Sequence, residues 1–510
     1  MDSTHRHLWA LHRRGLLRGA TGLAALAATQ GCAIAQPAEA SHPFSLGVAS
    51  GDPLPDGVVL WTRLAGAALP ASVPVAWEVA EDEGFRQVVQ AGTAEALATA
   101  GHSLHVELAG LRPGRHYWYR FTALGERSPA GRTRTAPAPG EATPVRFVNA
   151  GCQMYEHGHF TAWRHVAAEE LDFVFHYGDY IYEYGAAIPG QRRWGVEVRR
   201  HQGGECVSLA EYRQRYAQYH ADADLQAAHA AHPFIPSFDD HEVENNWAAD
   251  HSARSGRDPA FLLRRAAAFQ AWWENMPVRR ALLPRGPDIA MHRRFGFGRL
   301  LNLHVLDTRQ YRDPQPCNDG FRAPCEAVAR PDAQMLGAAQ EAWLLGGIGA
   351  AAATWQVLGQ QVMMMQRRRG STLGMDGWDG YPAARARLLA GLRDRRANAV
   401  VLTGDVHSAW AGTLHENPDD PASPALATEF VGTSISSGGD GSDGGAEAVL
   451  RQNPHIGFYN NRRGYTLHRA TAARLEAVFR AVAQVSTPGA PRQDKVAFVV
   501  EAGRAGLLPG

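Results

Sequence analysis

Hydrophobic and polar positions follow two different rhythms along this chain, and the change falls near residue 140. Between residues 44 and about 137 the apolar positions come in short strand-like runs. Val58-Val59-Leu60-Trp61-Thr62-Arg63, Val75-Ala76-Trp77-Glu78-Val79 and Ser103-Leu104-His105-Val106-Glu107-Leu108 are separated by Gly, Pro and Asp turns. Leu111-Arg112-Pro113-Gly114 then leads into Tyr117-Trp118-Tyr119-Arg120-Phe121. A Leu-x-Pro turn followed by Tyr is the order in which a tyrosine corner occurs in sandwich domains. Residues 41–137 are therefore expected to form a small all-β sandwich of the immunoglobulin or fibronectin-III type, with Pro137-Ala138-Pro139-Gly140 as the linker.

From Pro144 onward, short apolar runs alternate with helical periods of 10 to 20 residues. That alternation predicts an α/β layered sheet core over residues 144–510. One helix start is explicit. Ser208-Leu209-Ala210-Glu211 is a capping box, in which the Ser oxygen and the Glu carboxylate satisfy free backbone N–H groups. Tyr212, Tyr216 and Tyr219 then fall on one helical face and are read as packing. Pro259 to Met276 and Leu336 to Leu345 also read as helices. The run Gly438 to Gly445 is of low complexity and is expected to be a flexible loop.

Composition narrows the class. Apolar residues make up 45% and charged residues 20%, an ordinary globular balance. Arg and Lys equal Asp and Glu in number, so binding of nucleic acid through global charge has no support, and no nucleic-acid-binding module is expected. The N-terminus changes the picture more. Arg13-Arg14-Gly15-Leu16-Leu17 is a twin-arginine pair ahead of apolar residues, and Gly19 to Thr29 is too short and too weakly apolar to span a membrane. Ala33-Ile34-Ala35 and Ala38-Glu39-Ala40 offer small-x-small cleavage sites. Residues 1–40 are read as a twin-arginine export signal, which implies that translocation machinery as a partner and a periplasmic or secreted location. No later run reaches the length of a span, so the mature chain is expected to carry no transmembrane anchor. The signal route carries folded proteins, which suits a metal centre filled before export. Of the five cysteines, Cys317 and Cys325 flank a short loop and either close a small disulfide or remain two loop thiols.

The chemistry gathers where apolar runs end. Val145-Arg146-Phe147-Val148 runs into Ala150-Gly151-Cys152. Leu171 to Phe175 runs into Gly178-Asp179-Tyr180-Ile181-Tyr182. Phe234 to Phe238 runs into Asp239-Asp240-His241-Glu242, and Val400-Val401-Leu402 into Gly404-Asp405-Val406-His407. Ligands of α/β sheets bind outside the carboxyl ends of strands. Taken singly, a Gly-Asp pair is most often a turn and a lone Cys a small buried hydrophobe. Four such ends together point to one site. A thiolate, a phenolate, an imidazole and carboxylates form too hard a set for structural zinc. The phenolate suits a trivalent ion such as iron(III), and the further oxygens suit calcium or magnesium. Asp179 is placed to bridge two ions. Clustered cations can activate water and neutralise a phosphoryl group. No P-loop and no Gly-x-Ser-x-Gly elbow is present.

These motifs resemble the alkaline phosphatase D family of exported bacterial phosphodiesterases and phosphomonoesterases, within the calcineurin-like metallophosphatase group. The likeness covers nearly the whole chain after residue 40. It is carried by Gly47 to Pro53, Trp61-Thr62-Arg63, Gly151-Cys152-Gln153, Gly178 to Glu183, Asp239 to Trp247, Leu306 to Tyr311 and Gly404 to Ser408. Trp355 to Gln361, Phe430 to Ser434 and Asn453-Pro454-His455 also fit. The resemblance implies one iron(III) and two calcium ions, with Cys152, Asp179, Tyr182, Asp405 and His407 on iron and Asp179 bridging to calcium. Asp240 stands where the wider group has an Asn ligand, and His241 beside it is expected as an acid or phosphate contact. Arg309 and His455 are expected to touch the phosphate or the leaving group; a plain surface ion pair is the other reading of Arg309. Phe238 stands where Trp is more usual. The implied reaction is in-line attack of a metal-bound hydroxide on a phosphate mono- or diester. Phospholipase D-like or phosphotriesterase chemistry on the same scaffold, or a cell-wall-binding module with a structural metal site, are the alternatives.

Overall fold

The computed structural model describes residues 42–188, 193–350 and 353–510. The expected export signal, with Arg13, Arg14 and Cys32, lies outside the described residues. Among the described residues no helix is long and apolar enough to cross a membrane.

Two large mixed sheets face each other, and a helical layer covers the outer side of each. In the ten-stranded sheet Val145–Ala150, Phe173–His176 and Pro233–Pro236 run parallel. In the eight-stranded sheet Leu301–Val305, Trp355–Gly359, Ala399–Thr403 and Ala425–Val431 run parallel. These strands read as nearly continuous apolar runs because both of their faces are covered. Phe147, Phe173, Phe175 and Ile235 meet Leu303, Val357, Val400 and Phe430 in the core between the sheets. Outside the first sheet, the helices Thr161–Ala167, Leu209–His220, Ala223–Ala231 and Pro259–Asn275 bury Trp163, Tyr212, Tyr216, Tyr219 and Trp272. Outside the second, Ala338–Ala350 and Pro382–Asp394 bury Leu344, Leu388 and Leu392. The α/β layered core expected from the chain's rhythm is the one observed.

Local signals hold in detail. Ser208 and Glu211 form the full capping box at the head of Leu209–His220. The tyrosine stripe after it is packing, with all three rings fully buried. Phe238 stacks on Phe269 at 4.9 Å between ring centroids, so the smaller ring fills its place in the core. The loop expected to be flexible at Gly438–Gly445 is instead tied down. Asp440 accepts N–H bonds from Val485 and Ser486, and Asp443 accepts from Asn460 and Arg462.

The N-terminal region is a β sandwich with its own core of Val58, Leu60, Val75, Val79, Tyr119 and Phe121. The Tyr117 hydroxyl accepts the Arg112 N–H at 2.9 Å, which is the tyrosine corner. One of its sheets, Ser72–Ala80 with Val88–Leu97 and His116–Ala123, stands alone. The other does not. Val48–Leu54 pairs in parallel with Pro233–Pro236, and Gly57–Arg63 and Ser103–Glu107 extend outward from it. Three sandwich strands are therefore the edge of the ten-stranded sheet, a pairing between segments far apart in sequence that no local pattern encodes.

Candidate metal centre

Three parallel strands of the ten-stranded sheet and two of the eight-stranded sheet deliver their carboxyl ends to the same rim. Cys152 follows Val145–Ala150, Asp179 and Tyr182 follow Phe173–His176, and Asp239, Asp240 and His241 follow Pro233–Pro236. From the facing sheet, Arg309 follows Leu301–Val305, and Asp405 and His407 follow Ala399–Thr403. The rim is crowded with main chain. The ring of Tyr177 lies under it, and a Cβ on Gly151 would stand 2.4 Å from that ring and one on Gly404 2.2 Å. Glycine at both places lets the backbone close over Tyr177. The Gly404-Asp405 turn thus has a packing cause, and so has Gly178-Asp179, where a Cβ would stand 2.4 Å from Asp239 N.

The backbone then takes unusual forms. Cys152, Asp179, Asp405 and His407 all have φ between 53° and 65°. For residues with a Cβ such conformations cost on the order of 1–3 kcal/mol each, and they concentrate at functional sites. Glu242 helps to hold them. Its carboxylate accepts the N–H groups of Asp179 at 3.1 Å, Tyr180 at 2.6 Å and Asp239 at 2.9 Å, tying two strand ends together. Burial, followed by the charge of Asp179, pushes its carboxyl up to about 8.

The side chains form three overlapping groups. Cys152, Asp179 and His407 offer ligand atoms within 4.8 Å of one another; so do Asp179, Asp240 and His241, and so do Asp239, Asp240 and Asp405. Tyr182 joins the first group, its hydroxyl 2.8 Å from Asp179 Oδ2 and 3.0 Å from His407 Nε2. Ser437 Oγ stands 2.7 Å from the same hydroxyl. Asp179 links the first group to the second, and Asp240 links the second to the third. Asp405, expected beside Cys152, has its carboxylate in the third group.

Charge in the cluster is unbalanced. Burial, then Asp179, Asp239 and Asp405, raise the Cys152 thiol well above its ordinary pKa. Burial and Asp179 do the same for Tyr182. Burial and Asp376 push Asp405 up to about 8. His241 goes the other way: burial opposes its charge, but Asp240, Glu183 and Asp179 together raise its pKa well above the ordinary value. Glu183 Oε2 lies 2.8 Å from His241 Nδ1 and fixes the ring. Asp179 Oδ1 and Asp240 Oδ1 are buried without a hydrogen-bond partner. Buried carboxylate oxygens that face neither donors nor water are costly unless a cation is supplied. The donor set, a thiol, a phenol, two imidazoles and the four carboxylates of Asp179, Asp239, Asp240 and Asp405, fits multivalent cations of the hard or borderline class.

Two expected contacts differ from their sequence reading. Arg309 is fully buried, and its guanidinium is committed to carboxylates. Nε donates to Asp239 at 2.6 Å, and Nη1 and Nη2 donate to Asp376 at 2.8 and 3.0 Å. It is not a surface ion pair: three of its five N–H groups are spent on Asp239 and Asp376, and Nη2 also faces Asp240 and Asp405 at 3.9 and 3.8 Å. His455 joins none of the three groups. Its Nε2 lies 2.8 Å from the main-chain oxygen of Gln366, in a separate small cleft with Leu389 and Thr413. Asp376, which completes the Arg309 clamp, was not singled out in the sequence.

Two facing mixed sheets, flanked by helices and carrying this cluster at their common rim, define a metallophosphatase-type hydrolase. Residues 147–479 match the PhoD-like phosphatase family, and residues 31–137 match the PhoD-like phosphatase N-terminal domain. The chain belongs to the PhoD-like phosphatase family and is a phosphoric ester hydrolase. It is 46% identical to alkaline phosphatase D of Bacillus subtilis (strain 168), over 97% of this chain and 88% of that protein. A solved structure of PhoD superposes with a TM-score of 0.89 at 46% identity, covering 93% of each chain. The purple acid phosphatase PPD1 from yellow lupin seeds shares the fold, with a TM-score of 0.55 at 12% identity over 89% of this chain and 74% of that one.

Proposed function

We propose that the protein is an exported, metal-dependent hydrolase of phosphate monoesters and diesters that uses iron(III) and calcium. One observation supports the metal dependence above others: three overlapping ligand groups share Asp179 and Asp240, and each of these two has a buried carboxylate oxygen without a partner. Cys152, Asp179, Tyr182 and His407 would hold the trivalent ion, and Asp179, Asp239, Asp240 and Asp405 would hold the divalent ions. The bound cations supply a charge sink for the phosphoryl oxygens and an activated water. The phenol of Tyr182 is what favours iron over zinc.

The protein's own groups take the remaining roles. Glu183 fixes His241 through Nδ1, which leaves Nε2 for a proton. His241 thus suits the role of general acid toward the departing alcohol. Arg309 acts through its neighbours as a positioning residue: it neutralises Asp239 and Asp376 and stands 3.9 Å from Asp240 and 3.8 Å from Asp405. Glu242 keeps the Asp179 and Asp239 loops in register. Export is supported by Arg13-Arg14 and by the Cys317–Cys325 disulfide, which suits an oxidising compartment.

The test is elemental analysis of protein exported by its own signal, with hydrolysis of a monoester and a diester before and after chelation. Iron with calcium, a visible tyrosinate-to-iron band and activity restored by calcium are the expected results. Zinc alone, or activity indifferent to chelators, would overturn the reading.

A further inference from the structure

A cleft of about 160 Å³ opens beside the cluster, sharing Asp405 with it and Asp376 with the Arg309 clamp. Its walls are unlike the cluster. Met363, Met365 and Met375 line it, with Phe321 and the guanidinium side chain of Arg367. Of the four aspartates on its walls, Asp319 accepts from Asn246 and Asp405 belongs to the cluster, while the other two are held by neighbouring groups. Asp376 is held by Arg309 and Gln315, and Asp379 by Arg385 and the Arg367 main-chain N–H.

Arg367 is the exception. Among the described residues its side chain makes no hydrogen bond and no ion pair. It is half-buried, and its guanidinium lies 4.7 Å from the Phe321 ring centroid and 5.7 Å from that of Trp410. Burial and the nearby charge of Arg369 pull its pKa down to about 10, as befits a cation short of a counter-charge. Such a group stays protonated at neutral pH. A planar guanidinium steadied on aromatic faces, with its N–H edge unspent, is suited to a planar oxyanion.

The wall that carries Phe321 is held in place. Cys317 and Cys325 close a disulfide, and the four residues Cys317, Asn318, Asp319 and Gly320 have φ of 56°, 61°, 58° and 72°. The loop is further fixed by the Met375 N–H, which donates to Gly320 at 3.0 Å, and by pairing of Phe321 with Gly374. A preformed cleft that mixes Met and Phe with aspartates, carries one unspent cation and opens to the cluster suits an ester's departing portion.

We propose that this cleft is the leaving-alcohol subsite, that it selects alcohols bearing an oxyanion of their own, and that Arg367 reads that oxyanion. The inference rests on the phosphoester reading of the adjoining cluster. The experiment compares 4-nitrophenyl phosphate with 3-carboxy-4-nitrophenyl phosphate, in metal-loaded wild type, Arg367→Met and Arg367→Lys. Wild type is expected to favour the carboxylated ester. Arg367→Met should lower the ratio of the two kcat/KM values about tenfold, the scale of one charge-assisted hydrogen bond, and Arg367→Lys should lower it less. A second arm measures binding of phenylphosphonate and 3-carboxyphenylphosphonate by calorimetry, with the same ordering expected. An unchanged ratio in Arg367→Met, or no preference in wild type, would overturn the subsite. If wild type hydrolyses neither ester yet binds the carboxylated phosphonate in an Arg367-dependent way, the phosphoester reading fails and the subsite stands.

Discussion

Arg309 and Asp376 lie 67 residues apart in sequence and meet as a two-pronged pair, Nη1 2.8 Å from Oδ1 and Nη2 3.0 Å from Oδ2. The third edge of the guanidinium, Nε, reaches Asp239 on the opposite sheet. One arginine thus closes the rim between two sheets and offsets part of the charge of the aspartates gathered there. Arg312 Nη1 approaches the same Asp376 at 3.2 Å, so the carboxylate is clamped from two sides. Burial works against its charge, but Arg309 and Arg312 outweigh that and hold its carboxyl below the usual range.

Removing Asp376 should therefore damage the cluster without touching a ligand. In Asp376→Ala the freed Arg309 turns toward Asp240 and Asp405, where it competes with cations. Breaking a buried pair of this kind costs about 3–5 kcal/mol. Urea unfolding should show a loss of that order, and cation affinity should fall. A double variant with Arg309→Met should recover part of the stability. Full stability and full cation content in Asp376→Ala would show that the clamp is idle.

Tyr182→Phe deletes one oxygen and keeps the ring, which packs against His241 with 4.1 Å between centroids. The lost hydroxyl is the one shared by Asp179, His407 and Ser437. Iron content and the visible band are expected to fall together, with hydrolysis down at least tenfold, while calcium remains. Cys152→Ala should do the same to iron. Metal analysis, absorption spectra and steady-state kinetics check this on the same preparations.

How much of this was readable in the chain depends on where a residue sits. Cys152, Asp179, Asp240 and Asp405 each follow an apolar run, and the rule that sites form at strand ends finds them all. The capping box of Ser208 and Glu211 and the corner of Arg112 and Tyr117 are local, so sequence spacing suffices. Asp376 stands in a loop after a two-residue strand, Leu373–Gly374, and no run points to it. Glu242 lies inside a motif, but its task of binding three main-chain N–H groups depends on two loops meeting. The merging of Val48–Leu54 with Pro233–Pro236 was hidden because a strand buried on both faces records its burial and not its neighbour. His455 came from a motif likeness alone, and its nitrogen is held by a main-chain oxygen instead.

Proton release on metal binding should depend on pH in a defined way. Without cations, Asp405 and Glu242 have carboxyls pushed up to about 8, each chiefly by burial. At pH 7 both are largely protonated; at pH 9 both are largely ionised. Bound cations favour the ionised forms. Uptake at pH 7 should release more protons than uptake at pH 9, the difference approaching the share of these two groups. Cys152 and Tyr182, raised well above their ordinary values, should release theirs at both pH values. For stability the sign follows. A carboxyl whose folded pKa is raised binds its proton more tightly in the folded state, so the metal-free protein loses stability as pH rises from the unfolded value toward 8. Calorimetry in buffers of different ionisation enthalpy measures the first effect, and denaturant unfolding after chelation the second. Equal release at pH 7 and 9 would show that Asp405 and Glu242 do not ionise on binding.

The contact between Gly404 and Tyr177 gives a last test, one that separates packing from ligation. A Cβ on residue 404 would stand 2.2 Å from the Tyr177 ring, closer than any real contact. That ring is fully buried beside Cys152, with its hydroxyl donated to the Thr433 main-chain oxygen, so it has no room to withdraw. Gly404→Ala must then lift the strand end that carries Asp405. Overpacking of this kind costs about 1–3 kcal/mol, and Asp405 moves with the backbone, so divalent-ion affinity should weaken alongside. Shortening the ring in a Gly404→Ala, Tyr177→Leu double variant returns space but forfeits the Thr433 bond. Stability should recover in part and calcium affinity more fully. If calcium binding in Gly404→Ala equals wild type while stability falls, the backbone at Asp405 is held by something other than this contact.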